Sequence, residues 1–306
     1  MVINSSPSRP VIETRDLTKS FGALTAVDSL DLRVEHGEVF GFLGPNGAGK
    51  STTIALLLDL LRPSRGEARL FGLDVRDHAS ALHRRIGLVP AEVSMPKDMT
   101  AEHYLDFRDA LRGIDTTAAR RDLADRLDAD VGRRLGEMST GNRQKIAIVQ
   151  ALAHGPDLVI LDEPSRGLDP LVQHEFHEIL SERVADGCTV FLSSHSLAEV
   201  DRAADRVGII REGRLVAVEP LSTIKARATR TIEVELSSPV DLRVFQEIAG
   251  VEDVSVSGMR VSARVRGSAD EFLRAALIES EVLSVRSVEA DLEDVFLEYY
   301  RPEATA

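Results

Sequence analysis

The sequence predicts an α/β protein whose core is a mostly parallel sheet, followed by a smaller α+β unit. Three observations carry that expectation. The apolar run Val39 to Leu43 feeds through a glycine-rich turn into a helical segment from about Lys50 to Leu61. Two later apolar runs, Leu158 to Leu161 and Thr189 to Ser193, are short and continuous, as suits strands covered on both faces. Between them, Leu171 to Ala185 supplies the helical crossover that a parallel pair requires.

The elements follow in order. Residues 1–10 are polar and rich in Pro and Ser, and are expected to be a flexible N-terminus. Val11 to Thr14 and Leu30 to Val34 read as strands, the second with period-2 alternation. Gly66 to Phe71 and Ile86 to Val89 look like further strands. Thr100 to Asp130, dominated by Ala, Leu, Arg and Asp, reads as helical, and so does Asn142 to Ala153. The first domain is assigned residues 11–224.

After Ala228 the rhythm changes, and residues 229–301 are assigned to a second domain with 302–306 as a tail. Thr231 to Leu236 alternates as a strand, Asp241 to Ala249 reads as a helix, and Val251 to Ser257 as a strand. Gly258 and Met259 turn the chain into a strand from Arg260 to Arg266. A helix (Asp270 to Glu279), a strand (Val282 to Val288) and a closing helix (Leu292 to Tyr300) complete it. The order β-α-β-β-α-β is that of a split βαβ, ferredoxin-like unit. Leu292, Val295, Phe296 and Tyr299 fall at helical spacing, which fits the unit's own core better than a partner-binding face.

Composition narrows the function classes. With 306 residues, 43% hydrophobic and 28% charged, the chain has the make-up of a globular protein with room for two domains. Its net charge of -13 argues against wholesale binding of nucleic acid, yet permits a local anion site built from backbone amides. Cys188 is the only cysteine, so no intrachain disulfide forms, and Thr189 to Phe191 beside it suggest an inert buried thiol. The first residues lack an apolar core region, and the greasiest stretch, Ile54 to Leu61, is too short to span a bilayer. A membrane role would therefore run through a partner. The preference for Arg over Lys hints at a GC-rich bacterial genome.

Gly44-Pro45-Asn46-Gly47-Ala48-Gly49-Lys50-Ser51 fits G-x-x-x-x-G-K-[ST], between an apolar strand and a helix as the motif requires. Its glycines let successive N–H groups turn around a phosphate, and the helix that follows, through Ser51 and Thr52, presents its positive end. Lys50 adds a point charge, and Ser51 is suited to hold Mg²⁺ through its hydroxyl. Leu158 to Leu161 ends in two carboxylates, Asp162 and Glu163. In a parallel sheet that end faces the ligand crevice. Asp162 is then placed for the Mg²⁺ shell and Glu163 for polarising a water as general base.

Met138-Ser139-Thr140-Gly141-Asn142 precedes a helix and, taken alone, reads as an N-cap. Lying between the phosphate loop and the carboxylate pair, it resembles the LSGGQ signature of ATP-binding cassette (ABC) ATPases. The resemblance covers Val11 to about Pro220 and implies the P-loop cassette fold, with an antiparallel β subdomain and a helical subdomain. It implies ATP and Mg²⁺ as ligands. Ser165 to Asp169 resembles the D-loop, and His195 the switch histidine. Phe21 sits where the family stacks an aromatic on adenine, the alternative being a core phenylalanine.

Three departures stand out. The signature keeps Ser139 and Gly141 but has Asn142 at its last position and Met and Thr at two others. Val89 to Glu92 has no glutamine, and Glu92, one residue late, is either a stand-in toward Mg²⁺ or a plain surface acid. The D-loop carries Ser165 and Arg166 where Thr and a small residue are commoner.

The resemblance implies two subunits meeting head to tail, with ATP held by one cradle and covered by Ser139 and Gly141 of a second copy or a close paralogue. It implies a separate transmembrane permease and a peripheral place on the cytoplasmic face of a bacterial membrane. The single cassette, the C-terminal extension and the closing run Asp291 to Tyr300 look like subunits of ABC-2 type exporters of drugs and antibiotics. Two alternatives stay open: a regulatory cassette with vestigial hydrolysis, and a soluble cassette ATPase outside transport.

Overall fold

The computed structural model describes residues 9–227, 229–266, 268–288 and residue 296. They form two compact units divided between Val218 and Glu219. The first begins with the strands β1 (Ile12–Phe21), β2 (Leu24–Leu30), β3 (Arg33–Val34) and β4 (Val39–Leu43), then helix α1 (Lys50–Leu57). Strands β5 (Arg65–Leu70) and β6 (Leu73–Asp74), helix α2 (Val75–Arg84) and strand β7 (Ile86–Val89) follow. Three helices, α3 (Ala101–Arg112), α4 (Thr117–Arg126) and α5 (Thr140–Leu152), lead to β8 (Leu158–Asp162). Then come α6 (Pro170–Ala185), β9 (Thr189–Ser194), α7 (Leu197–Ala203), β10 (Arg206–Arg211) and β11 (Arg214–Pro220).

Two sheets organise this unit. β2, β1, β5 and β6 lie side by side, with β3 paired to the other end of β1. The second sheet runs β11-β10-β4-β9-β8-β7, and β10, β4, β9, β8 and β7 pair in parallel. Every residue of β4, β8 and β9 is buried, the two-sided covering that their unbroken apolar runs anticipate. Phe40 and Phe42 pack on Phe191 with ring centroids 5.9 and 5.2 Å apart, so neighbouring strands lock through their aromatic faces. At Gly41 a Cβ would stand 2.6 Å from Val200 Cγ1; the missing side chain lets α7 close onto β4.

Several boundaries differ from the sequence expectation for local reasons. α1 stops at Leu57, and Asp59 turns the chain with a left-handed φ of 53°. The long helical stretch divides at Gly113, whose φ of 69° caps α3. β1 runs on to Phe21 because the chain turns back at Gly22 and Ala23 and β2 pairs with it out to Phe21, while the distant β5 pairs its earlier part.

The second unit contains α8 (Leu221–Arg227), β12 (Thr229–Leu236), α9 (Arg243–Gln246), β13 (Val251–Ser257), β14 (Arg260–Arg266), α10 (Asp270–Glu279) and β15 (Val282–Val288). Its sheet is β13-β14-β12-β15, antiparallel throughout, which is the ferredoxin-like order. Ile232, Val234 and Leu236 alternate inward from β12, and Phe245 and Phe272 meet beneath them with centroids 5.2 Å apart. Each such buried side chain is worth roughly 1.5–3 kcal/mol. α9 is a single turn rather than the expected 241–249 helix, with Asp241 accepting the Arg243 N–H at its start. Of the anticipated closing helix Leu292 to Tyr300, only Phe296 lies within the described residues, and it is buried. Among the described residues no helix is long and apolar enough to cross a membrane.

Candidate active site

Because five strands run parallel, their C-terminal ends share one edge of the sheet. The glycine turn leaves β4 there, the acidic pair leaves β8, and His195 leaves β9, which lies between them. The order β4-β9-β8 is what brings three distant sequence segments together.

The turn is shaped by close packing beneath it. A Cβ at Gly49 would lie 2.4 Å from Ala26 O, and its φ of 110° belongs to glycine. Gly44 and Ala48 are buried, whereas Asn46 and Gly47 stand exposed at the crest. The Ala48 N–H donates to Pro45 O and its carbonyl accepts from Gly213 N–H. Helix α1 starts without a side-chain cap, unlike α2, α3, α5 and α6, which Asp74, Thr100, Ser139 and Asp169 cap. Uncapped first-turn amides of this kind can receive an anion. Ser51 is exposed on that first turn, with Thr52 half-buried beside it.

Lys50 is buried and its Nζ donates to Gly44 O at 2.7 Å and Pro45 O at 3.3 Å. The same ammonium stands 3.5 Å from Glu163 Oε1. Glu163 Oε2 pairs with His195 Nδ1 at 2.6 Å. One carboxylate therefore bridges the lysine of the cradle and the histidine of the next strand. Its geometry is imposed: Glu163 takes a φ of 52°, a left-handed conformation that costs on the order of 1 kcal/mol for a residue with a β-carbon. The Glu163 N–H, donated to Ser193 O at 2.9 Å, holds the turn.

Asp162 is buried, and its Oδ1 accepts from Ser193 Oγ at 2.9 Å. Glu163 Oε1 is buried and accepts no hydrogen bond among the described residues. A carboxylate oxygen that accepts no hydrogen bond, a second carboxylate and an exposed hydroxyl on Ser51 are donors of the kind a hard divalent cation takes, so these residues fit Mg²⁺. Among the described residues no cluster of three or more His, Cys, Asp or Glu could hold a metal ion by itself. Glu92 lies exposed in the bend after β7, the strand beyond β8.

The Ser139 turn caps α5, with Ser139 Oγ accepting the Asn142 N–H at 3.2 Å. Ser139 is exposed, and Gly141 and Asn142 are half-buried. Gly141 abuts the loop after β8 so closely that a Cβ would lie 2.2 Å from Gly167 O. Asp169 caps α6, accepting from Leu171 N–H and Val172 N–H, and those amides hold its carboxyl below the usual range. Phe21 is 49% exposed with Lys19 Nζ 5.0 Å from its ring centre, a presented platform rather than a core side chain.

Sequence reasoning passed over three buried polar side chains behind these groups. Gln144, in α5, donates from Nε2 to Pro164 O at 2.9 Å. Ser193 positions Asp162, and Glu199, in the first turn of α7, accepts from both Ser165 Oγ and Ser194 Oγ. Their polarity on otherwise apolar faces was the available signal, and only burial gives it meaning.

A phosphate-binding turn, an acidic strand end and a histidine turn at one parallel-sheet edge define a P-loop nucleoside triphosphatase. The profile of the ABC transporter family matches residues 27–166. The bacitracin transport ATP-binding protein of Bacillus licheniformis is 36% identical over 78% of this chain and 78% of its own. The Nod factor export ATP-binding protein I of Paraburkholderia xenovorans is 33% identical over 94% of this chain and 95% of its own. The daunorubicin/doxorubicin resistance ATP-binding protein of Streptomyces peucetius is 39% identical over 73% and 69%. A solved ATP-binding subunit of an ABC transporter superposes with a TM-score of 0.66 at 31% identity, covering 70% of this chain and 92% of that one. The chain belongs to the ATP-binding subunits of ABC transporters, and it is an ATPase of that family.

Proposed function

We propose that this chain powers export of a small molecule, of the drug or antibiotic kind, through a separate transmembrane permease. The relatives are an ATP-binding protein for bacitracin transport, another for daunorubicin and doxorubicin resistance and a third for Nod factor export, which supports export over import. The chain works as a peripheral subunit on the cytoplasmic face, two copies or a copy and a close paralogue meeting head to tail. ATP phosphates are held by the amides of the glycine turn and by Lys50. Ser139 and Gly141 of the opposing copy cover the γ-phosphate. Phe21 stacks on the base, and Asp169 shapes the neighbouring loop.

Mg²⁺, held by Ser51 and Asp162 with Glu92 reaching its waters, would neutralise charge on the phosphate oxygens. Glu163 takes a proton from the attacking water as that water adds to the γ-phosphorus and ADP leaves. His195, held against Glu163, keeps the carboxylate aimed and contacts the γ-phosphate. Lys50, shared between carbonyls and Glu163, is ready to exchange those partners for phosphate oxygens.

The observation that supports this reading most is the Glu163 carboxylate fixed between Lys50 and His195, with one buried oxygen facing the lysine and accepting no hydrogen bond. Glu163→Gln should retain ATP binding by calorimetry and lower turnover by about 10²-fold or more, the scale of a general base. Turnover equal to the wild type removes Glu163 from that role. Co-purification from membranes identifies the permease.

A further inference from the structure

We infer that Glu199 is a positioning residue for ATP hydrolysis, tying the loop after the acidic strand to the turn that carries His195. This rests on the reading of Glu163 and His195 given above and adds a residue behind them.

Glu199 is 8% exposed, in the first turn of α7. A buried carboxylate is tolerated when both oxygens are satisfied. Here no Lys or Arg among the described residues forms an ion pair with it, and two serine hydroxyls do the work instead. Oε1 accepts a short hydrogen bond from Ser165 Oγ, and Oε2 accepts from Ser194 Oγ at 2.6 Å. Ser194 Oγ also accepts the Ser196 N–H at 2.9 Å, so hydroxyl and amide bracket His195 from both sides.

The consequence is a closed ring. Glu163 leads through Pro164 to Ser165, across Glu199 to Ser194, on to His195, and back to Glu163 through the 2.6 Å pair. The Glu163 N–H on Ser193 O and the Ser193 hydroxyl on Asp162 join the two turns at their base, and Glu199 adds the tie further out, between Ser165 of the D-loop and Ser194. With it, the D-loop cannot shift without pulling on the histidine turn. Gln144 and Gln173 also brace this loop, donating to Pro164 O and to Leu168 O. Ser165, the D-loop departure noted in the sequence, supplies the hydroxyl that makes the tie.

The test compares Glu199→Ala, Glu199→Gln, Ser194→Ala and Glu163→Gln in the full chain as purified from membranes, reading kcat, KM for ATP and thermal midpoint. Glu199→Ala should lower kcat about tenfold with KM for ATP within about twofold, since the cradle is untouched. Glu199→Gln, which still spans both serines through an amide, should recover most of kcat. Ser194→Ala should lower kcat less than Glu199→Ala and add little to it in the double variant, as members of one network do. Wild-type kcat in Glu199→Ala, or equal loss in the Ala and Gln variants with KM and thermal midpoint collapsing together, overturns the inference. Glu163→Gln reports separately: full turnover there removes the general-base reading on which the inference rests.

Discussion

Substituting Gly141 by Ala isolates the contact between the Ser139 turn and the D-loop. Stability alone predicts little harm, because Ala is favoured over Gly in a helix by up to about 1 kcal/mol. The structure predicts otherwise. The added Cβ would sit 2.2 Å from Gly167 O and 3.3 Å from Gly167 C, both backbone atoms that no rotamer can move aside. Real carbon–oxygen contacts require roughly 1 Å more, so the turn and the loop must part by that amount, at a packing cost of about 1–3 kcal/mol. The helix propensity gain offsets part of that cost, and the thermal midpoint moves by only a few degrees. A misplacement of about 1 Å between catalytic parts costs on the order of 10²-fold in rate. Gly141→Ala should therefore lose about 10²-fold in turnover while the separated single chain still takes up ATP through its own glycine cradle. Turnover and calorimetric affinity measured side by side check this. Turnover within twofold of the wild type would refute the idea that this contact sets the geometry of the site.

Two further predictions concern groups away from the site. Burial, reinforced by the Arg112 charge, holds His154 down at about 4, whereas an unfolded chain takes up that proton near 6.5. The depressed group's contribution is fully present above pH 6.5 and drains as pH falls toward 4, on the order of 2 kcal/mol after allowing for partial exposure. His154→Leu should flatten the urea-unfolding free energy across that window; an unchanged slope contradicts the assignment. Burial also pushes the Cys188 thiol up to about 11, so the native chain at pH 8 should resist thiol reagents that react at once after denaturation. Rapid native labelling would show that the thiol is not shielded.

The parts of this molecule that speak in sequence are those whose chemistry is local. The turn from Gly44 to Ser51 announces itself because phosphate cradling needs glycines and a lysine at fixed spacing. The strands of the second unit are legible because one face is solvated: Ile232, Val234 and Leu236 alternate with Thr231, Glu233 and Glu235, and the bounds of β13, β14, α10 and β15 follow from such patterns. The antiparallel sheet of the first unit is less legible, since β1 pairs from Ile12 to Thr18 with β5 some fifty residues on, and its last residues to Phe21 are held by the hairpin to β2. Helix α2 and the β10–β11 pair carry mixed composition and are stabilised by what they pack on. Glu199 and Gln144 are ordinary polar residues of helical segments until burial reveals what they hold. Glu163 could be named as a carboxylate at a strand end, but its left-handed turn and its bridge to Lys50 and His195 required coordinates.

The central claim is that one ATP is held by the cradle of one copy and the Ser139 turn of its twin. Mixing two inactive chains tests it directly. Lys50→Ala removes the cradle's charge and keeps the signature turn; Ser139→Ala does the reverse. Random pairing gives mixed dimers, half of the total, each with one intact composite site, so the mixture should recover up to about a quarter of wild-type turnover. A mixture as silent as its two components would mean that each site is built within a single chain, and the account would fall.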